Sequence, residues 1–346
     1  MTILRKAMIA VFQAVLALTA ASAQGTVDSI PDSLLAPVFR EHSALPVTLV
    51  TAMRQLTRDR RGEPEWQPAV LRFGGAASDS LEAEVRARGL FRRNKCAVPP
   101  LRIDIPRKRA ETTPLGGLNK FKLVVHCENN DTYEQYVVQE YLIYRVYNLL
   151  TPFSQHARLL RMTYVDSSSP ADSVMRYAIL LEEDEDVARR TGTALVALTG
   201  AGPYDVDSYQ SALVGVFQYM IGNTDWSIAG LHNVKLFQRL LETFPMAYDF
   251  DFSGAVHARY ATVDSRLPIR SVRDRLFRGY CTEEDKWQEV YALFRARREA
   301  ITALYVNEPA LDAKVRDRTL GYFNEFFAIL DDPARADRML ARACRK

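Results

Sequence analysis

The sequence predicts an α+β fold with a β-rich first lobe and a mainly helical second lobe. Short runs that alternate apolar and polar residues, as half-buried strands do, recur over residues 45–181, where one long helix interrupts them. Apolar residues at helical spacing dominate residues 182–346, above all after Ser271. The 346-residue chain is 48% hydrophobic and 25% charged. This is the ordinary balance of a globular protein, and it excludes a disordered chain or a multi-span membrane protein.

The first 23 residues are predicted to be a secretory signal peptide. Arg5 and Lys6 provide a basic start, an apolar run follows over residues 7–18, and Ala21-Ser22-Ala23 supplies the small residues that cleavage requires. A membrane anchor is the alternative, but the run is too short to span about 30 Å of hydrocarbon comfortably. We therefore expect an exported protein, periplasmic or extracellular, with a leader over residues 24–44 and no membrane span in the mature chain.

The net charge gives no reason to expect a polyanionic partner. The formal charge is +3, and Arg5 and Lys6 of the signal peptide, which has no acidic residue, account for two units of it. The mature chain is therefore close to neutral. Such a chain has no general attraction to nucleic acid or to an anionic membrane surface, so we expect neither as a partner.

All four cysteines lie in the mature chain, and an even number fits an oxidising compartment. Cys96 and Cys127 lie in the first half of the chain, and Cys281 and Cys344 lie in the second half. We expect these two local pairs to form disulfides. Free buried thiols are the alternative, since cysteine also packs as a small apolar residue. A structural zinc site has little support, because the sequence has no Cys-x-x-Cys motif.

The first lobe is predicted to contain six strands and one long helix. In the strand over residues 121–126, Phe121 and Leu123 point to one side and Lys122 points to the other, because side chains alternate along a strand. The helix over residues 132–150 carries an apolar stripe at three- and four-residue spacing. The remaining predicted strands cover residues 47–50, 69–73, 101–105, 159–165 and 177–181.

The second lobe is predicted to begin with an acidic connector, Glu182-Glu183-Asp184-Glu185-Asp186, which leads into a helix. A helix over Tyr209–Ile221 follows, and Gly222-Asn223 ends it. Residues 234–237 and 246–250 are predicted to be short strands, and the pattern from Ser271 onward is mainly helical.

Two groups of polar residues break these patterns in the second lobe. A turn after the predicted helix carries Asp225, with His232 and Asn233 downstream. Asp249 and Asp251 alternate with aromatic residues at the end of a strand, so both point the same way. Like charges on one side repel unless a cation or a proton lies between them, and carboxylates are ligands that Mg²⁺ and Ca²⁺ prefer. Alternatively, Asp225 caps the turn and the two strand acids face solvent on an edge strand.

The third group is a predicted buried ion pair between Lys122 and Glu140. Glu140 lies on the apolar stripe of the long helix, four residues after Tyr136 and four before Tyr144. A buried charge needs a partner, and each of the two residues can serve the other. Alternatively, Glu140 reaches an exposed rim and Lys122 extends its ammonium group to water.

These groups follow one another in the order of the catalytic parts of protein kinases. There a strand lysine holds nucleotide phosphates and pairs with a helix glutamate, a loop aspartate positions the substrate hydroxyl, and an asparagine and a later aspartate hold Mg²⁺. Here Asp225 corresponds to the loop acid, Asn233 or His232 to the asparagine, and Asp249 to the later aspartate, with Asp251 as a second ligand. An ordinary protein kinase is excluded, because the loop and turn differ and no Gly-x-Gly-x-x-Gly loop precedes them.

Five motifs carry a closer likeness: Arg88-Gly89, Phe121-Lys122-Leu123, Leu180-Leu181-Glu182, Asn223-Thr224-Asp225 with Asn233, and Tyr248-Asp249-Phe250-Asp251. In this order they resemble the kinase-like family of spore coat protein H, over about residues 45–280. The resemblance implies a bilobal protein-kinase-like fold. It also implies roles for the following residues: nucleotide binding by Arg88, Lys122, Glu140 and Glu182, catalysis by Asp225, and metal binding by Asn233, Asp249 and Asp251. The phrases around Asp225 and Asp249 also look like those of uncharacterised secreted bacterial proteins, which bring no function with them.

The leading hypothesis is a secreted kinase-like protein that binds ATP with Mg²⁺ and transfers phosphate to a hydroxyl of an unidentified protein. Arg88, Arg92 and Arg93 can add phosphate contacts in place of a glycine loop, or can form a solvated basic face. The alternative is a kinase-like module that binds without catalysis, since nucleoside triphosphate is scarce outside the cytoplasm and fold does not imply function. A hydrolase with Asp249 and Asp251 as paired carboxylates is a third hypothesis, although the sequence identifies no sugar-binding cleft.

Overall fold

The structure is a computed structural model that describes residues 34–58, 62–74 and 80–346. The predicted signal peptide, with its cleavage after Ala23, lies outside the described residues, as does the first half of the predicted leader. Within the described ranges, none of the helices combines the length and the apolar composition that a membrane crossing requires.

Seven strands close into a barrel in the order β1-β2-β3-β4-β5-β7-β6. Neighbours in this order pair antiparallel, and β6 then pairs parallel with β1, so that Leu45 lies opposite Leu160. The strands are β1 (Leu45–Thr51), β2 (Gln67–Phe73), β3 (Ser80–Ala87), β4 (Leu101–Asp104), β5 (Lys120–Val124), β6 (Ala157–Asp166) and β7 (Ser169–Leu181).

Alternating side chains fill the interior of this barrel. In β3, Leu81, Ala83 and Val85 are buried and the residues between them are not, which is the pattern of a strand with one face on a core. In β5, Phe121 and Leu123 join the same core, so that Lys122 points away from it. The barrel therefore presents Lys122 on its outer face.

Nine helices and a second sheet are present in the described residues. The sheet has the order β10-β9-β8. Its strands are β8 (Ala194–Val196), β9 (Val234–Arg239) and β10 (Glu242–Ala247). The helices are α1 (Met53–Arg58), α2 (Phe91–Lys95), α3 (Arg107–Ala110), α4 (Asp131–Asn148), α5 (Asp184–Thr191), α6 (Ser208–Ile221), α7 (Glu284–Val306), α8 (Ala313–Leu330) and α9 (Pro333–Ala336).

A second hydrophobic core joins α4 to the longer helices α6, α7 and α8 and to the small sheet. Asn130 caps α4 by accepting a hydrogen bond from the Tyr133 amide, and Asp207 caps α6 in the same way through Gln210. Gly222 ends α6 in the left-handed region, at φ 66°. A Cβ at this position would collide with the Tyr322 hydroxyl of α8, so the predicted helix stop is also a point of close packing.

The predicted bilobal protein-kinase-like fold is wrong. The β-strands of the first half form a closed, mixed, seven-stranded barrel, and the second half combines helices with a separate small sheet. The strands themselves were predictable because alternation is local. Closure depends on the parallel pairing of β1 with β6, which no local pattern specifies.

Most of the individual elements agree with their sequence-based predictions. The structure confirms the strands that became β1, β2, β4, β5, β6 and β9 and the helices that became α4, α5 and α6. Two strands, β3 and β8, were not predicted, and β7 begins at Ser169 rather than near Tyr177.

Both predicted disulfides are present. Cys96 bonds to Cys127 with a Cα separation of 4.5 Å, and Cys281 bonds to Cys344 with a Cα separation of 4.9 Å. All four cysteines are therefore paired, which excludes the alternative of free thiols. Two disulfides are compatible with an oxidising compartment, and so with export.

Candidate functional site

A cleft of about 550 Å³ brings together most of the residues that the sequence singled out. It lies where β5, α2 and the segment after β10 meet. Its lining includes Arg88, Arg92, Lys122, Asp225, His232, Asn233, Asp249 and Asp251. Glu140 and Glu182 are not among the lining residues. Loops, strand ends and one short helix therefore converge on a single site.

One side of the cleft is a basic wall, formed by Lys122, Lys235 and Asp184. Lys122 Nζ lies 3.0 Å from Asp184 Oδ2, and Lys235 Nζ bonds to the same oxygen. The amide nitrogen of Gln155 donates to the other oxygen of Asp184, at 3.0 Å. Two ammonium groups thus share one carboxylate, which leaves the basic wall with one positive charge in excess.

Electrostatics keep Asp184 ionised. Burial alone would raise the pKa of its carboxyl group, but Lys122 and Lys235 outweigh burial and lower that pKa below its usual value. Burial also lowers the pKa of Lys122, and the neighbouring Asp184 offsets part of this shift.

The predicted ion pair between Lys122 and Glu140 does not form. Lys122 lies opposite Leu181 in the β5–β7 register. Asp184 follows Leu181 by three residues and therefore lies close enough to pair with the lysine. Glu140 instead points from α4 toward Phe250, whose amide donates to its carboxyl group. Among the ion pairs of the described residues, Glu140 takes part in none, and one of its carboxyl oxygens has no hydrogen-bond partner.

A second cluster, which we call the acidic wall, lines the cleft through Asp249, Asp251 and Arg92, with the buried Glu140 behind them. Arg92 Nη1 lies 3.7 Å from Asp251 Oδ2, and the Tyr260 hydroxyl donates to the same oxygen at 3.0 Å. The Arg92 guanidinium also donates to the Val125 carbonyl of the barrel edge. Three carboxyl groups therefore share one guanidinium group.

This crowding raises the pKa values of the two buried acids. Burial and the Asp249 carboxylate raise the pKa of Asp251 to about 7, although Arg92 opposes the shift. Burial, Asp251 and Asp249 raise the pKa of Glu140 well above its usual value. Both shifts favour the protonated forms of these two acids.

Asp249 differs from the buried acids Glu140 and Asp251, because its side chain is exposed to the cleft. Its backbone adopts a left-handed conformation, with φ 62°, and its amide donates to the Tyr144 hydroxyl at 3.0 Å. Asn233 is also left-handed, with φ 52°. Left-handed non-glycine residues are uncommon and cluster at functional sites, where the surrounding structure holds them in place.

Asp225 lies at the mouth of the cleft. Its Oδ1 lies 2.8 Å from His232 Nε2, and the amide nitrogen of Asn233 donates to its Oδ2 at 3.2 Å and to its carbonyl at 2.7 Å. Asp225 also donates its backbone N–H to the Asn223 side chain. His232 and Asn233 thus orient the Asp225 carboxylate, and 42% of that side chain remains exposed.

Glu182 and Arg93 lie outside the cleft. Glu182 is buried against Arg190, whose Nε donates to its Oε1 at 2.8 Å, and it accepts a second hydrogen bond from the His156 amide. This fixes the turn between β7 and α5, so the predicted nucleotide-binding role does not fit its side chain. Arg93 is buried away from the cleft lining, whereas Arg88 and Arg92 face the cleft as predicted.

Sequence reasoning missed Asp184, Lys235, Tyr144 and Tyr260. Asp184 stood within the predicted acidic connector, and Lys235 alternates with buried residues in β9, so both carried a recognisable local signal. Tyr144 and Tyr260 resembled ordinary aromatic core residues. Their hydroxyl groups matter only because the fold places them beside Asp249 and Asp251.

In the part of the chain that the structure describes, no group of three or more His, Cys, Asp or Glu side chains is arranged to hold a metal ion by itself. The acidic wall nevertheless suits Mg²⁺ that arrives with a phosphate, because Mg²⁺ typically takes one or two carboxylates together with substrate phosphates and water. Asp249 is exposed for this purpose, and Asn233 keeps its amide oxygen free of hydrogen bonds from the described residues.

Neither a family model nor a curated protein matches the chain. The resemblance to the spore coat protein H family therefore stays a prediction, and the function proposed below rests on the geometry of the cleft.

Proposed function

We propose that the cleft binds ATP with Mg²⁺ and transfers the terminal phosphate to a protein hydroxyl. The observation that carries the proposal is that one cleft is lined by cationic side chains from one cluster and by carboxyl groups from another, and that Asp225 also lines it. Phosphates need cations and Mg²⁺ needs carboxylates, so a magnesium–triphosphate complex complements both walls at once.

The basic wall and Arg88 bind the phosphates in this proposal. Lys122 and Lys235 share Asp184, so their excess positive charge is available to phosphate oxygens. Arg88 lines the cleft and has no carboxylate partner among the described residues, and a guanidinium group can bind phosphate through two parallel hydrogen bonds. Apolar groups between these cations can hold a flat nucleobase; they are Leu90, Phe91, Val124, Leu181 and Phe252.

The acidic wall holds the metal through Asp249, Asp251 and the amide oxygen of Asn233. Mg²⁺ held there would supply positive charge against the phosphates. Arg92 and Tyr260 keep Asp251 Oδ2 in place. Phosphoryl transfer needs mainly such positioning and charge neutralisation from the protein.

Asp225 acts on the acceptor. Its carboxylate accepts the proton of the incoming hydroxyl while that oxygen forms its bond to phosphorus, and ADP leaves with the electron pair of the broken bond. His232 and Asn233 hold the carboxylate at the cleft mouth, where an acceptor protein can approach.

Two substitutions test the proposal, with binding and transfer measured separately. Calorimetric titration with ATP should show heat of binding in Mg²⁺ and little in EDTA. Asp249→Asn should weaken the magnesium-dependent affinity by about 100-fold, or about 2.7 kcal/mol. Asp225→Asn should leave the affinity nearly unchanged and abolish phosphate incorporation, because it acts on the acceptor. Asp285→Asn, on the exposed start of α7, serves as the control.

The outcomes separate the hypotheses. Binding without phosphate incorporation into any protein would support a binding module and reject the enzyme. A wild-type protein that binds no nucleotide with any divalent cation would reject both.

A further inference from the structure

A second cleft, of about 990 Å³, adjoins the candidate site. It lies between the start of α4, the segment over residues 257–272, and the start of α8. Thr262 lines both this cleft and the candidate site, so the two adjoin each other. A ligand that passes Thr262 would contact both.

Four cationic side chains line this larger cleft, which we call the basic groove: Arg259, Arg270, Lys314 and Arg318. All four are exposed, and none of their side chains forms an ion pair with a carboxylate of the described residues. Asp274, outside the groove lining, accepts a hydrogen bond from the backbone N–H of Arg270. By contrast, Arg298 and Arg316 pair with Asp331 and Asp317, at 3.1 Å and 2.9 Å. The positive charge of the basic groove is therefore not balanced by the protein itself.

The two acids of the groove offset only part of the charge of these four cations. Asp131 bonds to Arg176 at 2.9 Å, outside the groove. Asp312 caps α8, because its Oδ1 accepts from the amides of Lys314 and Val315. His257 adds no charge near neutral pH, since partial burial and the guanidinium groups of Arg273 and Arg318 lower its pKa.

We propose that the basic groove binds an acidic polypeptide segment and thereby presents a neighbouring hydroxyl to Asp225. This inference rests on the proposed phosphate transfer, and it names the acceptor as a protein with acidic residues beside its hydroxyl. Carboxylate side chains would pair with the four cations, and Thr262 marks the passage toward the candidate site.

The lining favours a polypeptide over a nucleic acid. Between the cations the groove presents small and branched apolar side chains, Ala261, Val263, Val272 and Val315. Such surfaces pack against peptide side chains. Proteins that bind single-stranded nucleic acid instead stack bases on exposed aromatic rings. Of the two aromatic rings in this lining, Tyr136 is 6% exposed and packs against Tyr133 and Tyr260, which leaves His257 as the one exposed ring.

Fluorescence anisotropy with labelled synthetic peptides tests the groove without nucleotide. One peptide carries a serine flanked by glutamates, and the other carries the same serine flanked by lysines. The full chain should bind the acidic peptide at least about tenfold more tightly, with a preference that weakens as salt screens the charges. Arg318→Glu should weaken acidic-peptide binding about tenfold. Arg316→Glu, on the same helix but outside the groove, should leave it within about twofold.

Three results would overturn the assignment: equal affinity for the two peptides, an Arg318→Glu protein that binds as the wild type does, or binding of heparin but of neither peptide. Failure of the proposed function is distinguishable. If the acidic peptide binds as expected but never receives phosphate, the transfer proposal fails and the groove assignment stands. If phosphate enters proteins without any acidic preference, the groove assignment fails alone.

Discussion

The two walls of the cleft balance their charges in opposite ways. On the basic wall, Lys122 and Lys235 share the Asp184 carboxylate, whose pKa is lowered. On the acidic wall, three carboxyl groups share Arg92, and the pKa values of the two buried ones are raised. The basic wall is thus satisfied as an ionised cluster, whereas the acidic wall is satisfied only with bound protons or a bound cation.

This difference indicates that the charges of the basic wall stabilise the fold, whereas those of the acidic wall serve function. Breaking the basic wall should cost stability, because two cations lose their common partner. Replacing a carboxyl group of the acidic wall by a neutral group should lower the stability of the protein little, or even raise it, because the substitution removes repulsion between the carboxyl groups.

Among the substitutions, the largest expected loss of stability follows from Asp184→Asn. The substitution leaves Lys122, whose side chain is 13% exposed, without an anionic partner. Breaking a buried pair on one side costs about 3–5 kcal/mol, and the partial exposure of Lys235 points to the lower end, about 3 kcal/mol. Urea unfolding measures this loss. Asp186→Asn, which removes the surface pair of Asp186 and Arg189, should cost less than about 1 kcal/mol. Equal losses in the two variants would show that the basic wall contributes nothing beyond a surface pair.

The acidic wall should make the stability of the protein depend on pH, in the direction opposite to the effect of Asp184. The pKa of Asp251 is about 7 in the folded protein, against 3.8 as its usual value. Between about pH 4 and pH 7 the unfolded chain releases this proton while the folded protein keeps it, so stability falls as pH rises. On the order of 4 kcal/mol should be lost across this window.

Asp251→Asn removes the titrating group and should flatten this part of the profile. Unfolding curves in urea at several pH values, for the wild type and the variant, measure the difference. The stabilising charge of Asp184 should be lost only below about pH 4, as pH falls from the usual pKa of 3.8 through its lowered pKa. A variant profile parallel to that of the wild type between pH 4 and pH 7 would rule out Asp251 as the source.

The same contrast explains what the sequence could and could not predict. Asp225, Asn233, Asp249 and Asp251 were predicted to lie together because each interrupts a regular pattern at the end of a helix or strand, and they do line one cleft. This prediction does not depend on the kinase-like fold, because any fold that places these helix and strand ends side by side brings the four residues together.

The partners of these residues were less predictable. Lys122 pairs with Asp184 rather than Glu140 because the β5–β7 register brings the end of β7 beside it. The barrel closes because Leu45 pairs opposite Leu160. Both facts depend on pairing between distant segments, which composition and periodicity do not encode. By contrast, β3 carried a clear local alternation at Leu81, Ala83 and Val85, so its omission was avoidable.

A smaller effect is expected from Glu140→Gln. Burial and its acidic neighbours raise the pKa of Glu140 well above its usual value, which favours the neutral acid. Glutamine keeps the size, the neutrality and an oxygen that can accept from the Phe250 amide. The free energy of unfolding at pH 7 should therefore change by less than about 1 kcal/mol. A loss of about 3 kcal/mol, as for Asp184→Asn, would show instead that Glu140 is ionised and paired.

The smallest stability effect should follow from His232→Ala, at the mouth between the two walls. His232 and Asp225 are 57% and 42% exposed, and exposed pairs contribute little to stability, so unfolding should change by less than about 0.5 kcal/mol. Phosphate incorporation should nevertheless fall about tenfold, because Asp225 loses the Nε2 contact that orients its carboxylate. Nucleotide affinity should stay within about twofold of the wild type, since neither wall is altered. A matched change at His257, which lies outside this cleft, should affect neither stability nor nucleotide affinity. If His232→Ala lowered nucleotide affinity as much as transfer, the histidine would belong to the phosphate or metal site rather than to the acceptor side of the reaction.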